Sequence, residues 1–143
     1  MKVARVETHT IEAKRFSKPG EKVQNVRVDQ NSTITQITPS GDEGMSAEFR
    51  LTINYTGIGF IKLEGQVIMA GEGDVAPALS EWRSSGNLPT ATANVVHNAV
   101  MSHCMPTALL VSRDVQMPPP FPLPRIQLQK KSKPRPADGF EVA

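Results

Sequence analysis

From Ser46 onward the chain alternates strictly. Ala47, Phe49, Leu51, Ile53 and Tyr55 take every second place, with Ser46, Glu48, Arg50, Thr52 and Asn54 between them. Period two is the mark of a strand with one buried and one wet face. After Thr56 and Gly57 the pattern resumes with Ile61, Leu63, Gly65, Val67 and Met69 against Lys62, Glu64 and Gln66, so the two runs read as one long antiparallel hairpin. At about 3.4 Å per residue each arm spans roughly 30 Å, well beyond the usual strand. A sheet of that length leaves an apolar face that only the rest of the chain can cover.

Upstream, residues 1–38 are rich in Val, Ile and Thr, broken at Lys18-Pro19-Gly20, with a second break at Pro39-Ser40-Gly41; two further strands are expected. Val26, Val28 and Ile34 keep one phase, but Gln30 and Ser32 fall in it too, so the pattern alone does not fix register there. Downstream, Ala76–Ser85 reads as a short helix anchored by Trp82 and stopped by Gly86. Between residues 90 and 115, Val96, Val100, Cys104, Ala108, Val111 and Val115 recur at spacings of three and four, which is helical periodicity. Pro106 lies inside this run, and a proline there removes a hydrogen bond and crowds the preceding turn, predicting a kink or a break near Ser102–Met105. Past Gln116, MPPPFPLPRIQLQ reads as an extended, proline-locked arm and KKSKPRPADGFEVA as a basic disordered tail. The expected fold class is α+β: about four antiparallel strands covered by a long kinked helix, with residues 1–126 forming the domain and residues 127–143 the tail.

Charge and chemistry narrow the function. The net charge is only +2, from 16 Lys and Arg against 14 Asp and Glu. Five of those cations, Arg125, Lys130, Lys131, Lys133 and Arg135, lie within residues 125–135 with no acid among them. The remaining 11 against 14 leave the rest of the chain near −3. The opening MKVARVETHT lacks the apolar centre of a secretory signal, and no window approaches the roughly 20 apolar residues that cross a bilayer, so a cytoplasmic protein is expected. Cys104 is the single cysteine, which excludes an intrachain disulfide and a multi-thiolate metal site. His97 and His103 sit six residues apart, about 240° around a helix, so they do not form a metal pair. There is no glycine-rich phosphate loop, no nucleophile elbow and no placed pair of acids. Neither catalysis nor a cofactor is expected.

The long helix is apolar on nearly every side, since Val95, Ala99, Leu109 and Leu110 lie away from its main stripe. Such a helix is buried on both sides, and in so small a domain the economical cover is a second copy, giving a dimer or tetramer.

The order of elements, four strands, a long helix and a proline-rich connection, resembles the SecB family of protein-export chaperones. Two strings carry the resemblance. INYTGIGFIKLEG is similar to that family's third and fourth strands, although Gly59 is inserted before Phe60. LLVSRDVQMPPPFPLPRI is similar to its helix end and proline connection, with Val111, Ser112, Arg113, Leu123, Pro124 and Ile126 in the matching places. The matching segments cover residues 46–70 and 92–126. The family's second, C-terminal amphipathic helix has no counterpart, a basic tail standing in its place. The resemblance implies a SecB-like domain over residues 1–126 and an ATP-independent, oligomeric holdase that keeps unfolded polypeptides in apolar grooves beside its helices. The groove residues expected on that basis are Phe60, Met101, Met105, Leu109, Met117, Phe121 and Leu123.

Simpler readings stand beside these. Flexible, polarisable Met101, Met105 and Met117 suit a surface that adapts to many apolar partners, and equally suit a core. Phe121 and Leu123 either pack back onto the domain or floor a groove. The alternative function is nucleic-acid binding through Arg125, Lys130, Lys131, Lys133 and Arg135, which would weaken steeply with salt.

Overall fold

The computed structural model describes residues 2–18, 26–41, 44–71, 73, 75–124, 126 and 128. Four strands come first, β1 (Lys2–Arg15), β2 (Val28–Ser40), β3 (Gly44–Tyr55) and β4 (Gly59–Ala70), followed by helices α1 (Val75–Ser85) and α2 (Thr90–Asp114). The strands form one open antiparallel sheet in the order β1-β4-β3-β2, an α+β arrangement. The alternating hairpin is therefore its centre. β3 and β4 join through a turn in which Ile58 N–H donates to Tyr55 O at 2.9 Å, and the left-handed position falls on Gly57.

Parity decides which side chains are inside. Met45, Ala47, Phe49, Leu51, Ile53 and Tyr55 of β3 and Ile61, Leu63, Val67 and Met69 of β4 are buried on one face beneath the helices. The opposite face is polar. There Lys62 pairs with Glu12 at 3.3 Å and Arg50 with Glu64 at 3.0 Å. Ser46 Oγ donates to Gln66 Oε1 at 2.7 Å, and Gln66 Nε2 donates on to Glu7 Oε1 at 2.8 Å, linking β3, β4 and β1. Hydrogen bonds from the Arg5 guanidinium and from Gln66 hold the Glu7 carboxyl below the usual range.

Two glycines of β4 seat β1. A Cβ at Gly65 would collide with the Glu7 carbonyl oxygen, and one at Gly59 with that of Lys14. β1 carries extra residues at Ala4 and His9, and the second of these bulges sits beside Gly65. Such bulges also suit an edge strand, because they interrupt the flat row of unpaired groups that invites another strand.

α2 lies across β1, β4 and β3, burying Val96, Val100, Cys104, Ala108 and Ser112, while α1 covers part of β2. Burial pushes the Cys104 thiol up, away from the thiolate that reactivity or metal binding needs. The helix does not divide at Pro106: it runs unbroken from Thr90 to Asp114. Pro106 and Ser102, whose carbonyl the missing N–H would have met, are both on the exposed side, where water replaces the lost bond.

Gln30 and Ser32, which blurred the pattern of β2, do face inward. Ser32 Oγ lies 2.8 Å from His97 Nδ1 of α2, and Gln30 Nε2 donates to Pro120 O at 2.5 Å. Gln30 is exposed and Ser32 half-buried, and both side chains find partners on the covering layer.

Candidate functional site

α2 ends at a left-handed residue, Gln116, beyond which the chain turns back over the sheet. The turn is closed by Met117 N–H donating to Ser112 O at 2.8 Å and is tied to the end of β1 by Arg15. That guanidinium donates to the Gln116 carbonyl and, at 3.1 Å, to that of Ser17. Met117 and Pro120 are buried and root the arm. With φ fixed at Pro118, Pro119, Pro120, Pro122 and Pro124, the arm is extended, and it runs beside the beginning of β2.

Between arm and strand lies an open groove of about 620 Å³, lined by Val26, Val28, Gln30, Pro119, Pro120, Phe121, Pro122 and Leu123. Among the described residues of this lining Gln30 carries the only polar side chain, and its amide is already engaged by Pro120. None of the described lining residues is titratable, so what they offer is shape and apolar surface. A second hollow of about 230 Å³, at the other end of the sheet, is formed by Pro39, Gly41, Gly44, Gly71, Gly73, Val75, Ala76 and Leu79. Among the described residues its lining has no polar side chain, and it is far smaller.

Tyr55, paired with Val28 across the sheet, lies beneath the groove end of β2. Its hydroxyl is buried beside Ser112, whose own hydroxyl donates to Leu109 O at 2.7 Å. Burial pushes the phenol up to about 12. A group that holds its proton more tightly folded than unfolded contributes stability below the unfolded value near 10 and loses it as pH rises toward 12. The protein is therefore expected to lose stability between pH 10 and about 12, a loss that Tyr55→Phe reduces while leaving neutral-pH stability unchanged or slightly higher. Thermal unfolding followed at pH 7 and pH 11 checks this; equal alkaline losses in both proteins would rule Tyr55 out as the cause.

The structure divides the residues singled out from sequence. Phe121 and Leu123 line the groove, while Met117, 6% exposed, lies in the core. Met101 and Met105 are half-buried on α2 and pack against the core. Leu109 is half-buried on the same helix. None of these three lines the groove. Phe60 is on the polar side of the sheet, where its ring lies 5.9 Å from that of Phe16. Parity held this answer, since Ile61 inside puts Phe60 outside. Val26, Val28 and Gln30 complete the groove and were missed, because their arm partners are some 90 residues away in the chain. Arg125, Lys130, Lys131, Lys133 and Arg135 lie outside the described residues.

Among the described residues no group of three or more His, Cys, Asp or Glu side chains is placed to hold a metal ion. Nor is any helix among them long and apolar enough to cross a membrane. No protein-family model, no curated protein and no solved structure matches the chain.

Proposed function

We propose that the chain is an ATP-independent holdase of the SecB-like kind, which binds unfolded or partly folded polypeptides in the groove between β2 and the proline arm. The observation that carries this reading is the groove itself: about 620 Å³, open, and walled among the described residues by apolar side chains with no titratable group. That volume falls within the roughly 300–1,000 Å³ of typical ligand sites, enough for a few apolar side chains. Beside it, β2 is an edge strand, so an extended client can add its backbone to the free edge while its side chains enter the groove. The resemblance in element order and in the strings at residues 46–70 and 92–126 supports the same reading. Burial of client surface supplies about 25 cal/mol per Å² before ordering costs, and the proline arm, already restricted, loses little entropy on docking. No catalytic step or cofactor belongs to this mechanism.

The test is light scattering from a chemically denatured model protein diluted with and without this chain, at equal stoichiometry and without nucleotide. Suppression that persists in moderate salt is the expected result. Unsuppressed aggregation would remove the general-holdase reading.

The same proposal includes a homo-oligomer. The face of α2 turned away from the sheet leaves Leu110 61% exposed and Val95 partly so, with Ala99 and Leu109 half-buried between them. Leu110→Lys is expected to leave the fold intact and lower the mass measured by multi-angle light scattering to that of a smaller species. A variant with the mass of the natural protein would place the interface elsewhere.

A further inference from the structure

The outer wall of the groove hangs from a single point. Up to Pro120 the arm is rooted: Met117 N–H donates to Ser112 O, the Arg15 guanidinium donates to Gln116 O, and the Met117 side chain and Pro120 ring are buried. Beyond Pro120 the support ends. Phe121 is half-buried, Pro122, Leu123 and Pro124 are exposed, and among the described residues no hydrogen bond reaches any of the four. The direction of this stretch is therefore decided at Pro120. Its ring fixes φ near −65°, which leaves ψ as the one soft backbone angle there. That angle turns the peptide group joining Pro120 to Phe121, and the oxygen of that group is the atom to which Gln30 Nε2 donates at 2.5 Å. Gln30 itself stands on firm ground, opposite Ile53 of the buried hairpin. With prolines at 118–120, 122 and 124 the arm has few N–H groups for a strand ladder, so a side-chain donor on β2 is what can hold it.

We propose that Gln30 is the positioning residue of the groove: its amide fixes the Pro120–Phe121 peptide group and so sets Phe121, Pro122 and Leu123 across from Val26 and Val28, and when it lets go the wall swings about Pro120. This rests on the groove being the client site. Gln30 is exposed, and a neutral hydrogen bond at an exposed side chain exchanges readily for water. The wall is thus set in the free protein and still yields to a bulky client side chain. A groove of this kind is preorganised for small apolar side chains and adapts to larger ones. The ionisable groups nearby have partners of their own. Arg27 and Asp29 pair at 3.1 Å on the opposite face of β2, Arg15 serves the root of the arm, and His97 meets Ser32 at 2.8 Å.

The experiment is double electron–electron resonance on the full chain, with nitroxide labels on Thr33→Cys of β2 and Pro124→Cys of the arm in a Cys104→Ala background. Thr33 and Pro124 are exposed and line neither hollow. One narrow distance distribution is expected with Gln30 in place. The isosteric Gln30→Glu should make it about twice as broad at pH 7, because a carboxylate has no proton to donate. At about pH 3.5, below the ordinary glutamate value near 4.3, the acid regains an O–H donor and the narrow distribution should return. The labelled chain that keeps Gln30 should stay narrow at both pH values, which controls for every other titrating group. Gln30→Val, read at pH 7, carries the test without acid and should be as broad as Gln30→Glu. Both variants should bind a fluorescent, extended apolar peptide about fivefold more weakly at pH 7, with thermal midpoints within about 2 °C of the natural protein. Narrow distributions in both variants at pH 7 would overturn the proposal. So would a Gln30→Glu distribution that acid leaves broad while circular dichroism shows a folded domain, and so would equal peptide affinity in all three chains. The label distances need no client: peptide binding absent from every chain, with the labels behaving as expected, would overturn the holdase reading and support the role of Gln30 in placing the wall.

Discussion

Replacing Gly65 by valine is expected to strip β1 from the sheet. The new Cβ would occupy the position of the Glu7 carbonyl oxygen, and backbone, unlike the end of a flexible side chain, cannot step aside. The bulge at His9 leaves no slack on the other side. Losing β1 also removes the strand under much of α2 and uncovers the apolar surface that Val3, Val6 and Ala13 help to bury. Overpacking of this kind ordinarily costs about 1–3 kcal/mol, and coupling to a whole strand places this case at or above the upper end. A fall of about 10 °C or more in the thermal midpoint should follow, with amide exchange accelerating first in β1. A midpoint within about 2 °C of the natural protein would show that β1 accommodates the side chain and that the glycine is not what seats it.

In the aggregation assay, the double variant V28D/F121D is expected to lose its holding capacity by about tenfold or more while keeping its fold. Val28 and Phe121 both line the groove and are half-buried, so in the free protein the new carboxylates reach water. A client entering the groove would have to desolvate them with no cation among the described lining residues, at a cost of several kcal/mol per unpaired ion. The apolar area of both walls is lost as well. Thermal midpoint and circular dichroism should change little. Full suppression by the variant would move client binding out of the groove, the outer face of α2 being the next apolar surface to probe.

Where periodicity spoke, the structure agrees with it. The alternation from Ser46 to Met69 marked the central hairpin and its buried parity, and the three-and-four spacing marked α2 almost to its ends. What escaped was whatever depends on distant partners. Gln30 and Ser32 looked like faults in β2 because His97 and the Pro120 carbonyl, which satisfy them, lie 65 and 90 residues downstream. The groove was half visible for the same reason: Phe121 and Leu123 announced themselves in a proline run, but nothing local ties Val26 and Val28 to them. The pairing of β1 with β4 across two intervening strands has no periodic signal either; Gly59 and Gly65 hint at it by interrupting an apolar row. Pro106 left a kink and a break both open, and the unbroken helix excludes the break; the choice depends on whether Ser102 faces water, a property of the tertiary environment.

The strand order has a consequence in time. β1 is made before the other strands, yet the strand it pairs with among the described residues, β4, lies some 50 residues later, so at about 5–20 residues per second it waits roughly 3–10 s with both edges open. A plain apolar strand would be a hazard over that interval. Between Lys2 and Arg15 this one carries Lys2, Arg5, Glu7, His9, Glu12, Lys14 and Arg15, side chains that repel stacking and keep the segment hydrated until its place in the sheet exists. The polar face that serves as inert surface in the finished protein thus acts earlier, as the strand's own protection during synthesis.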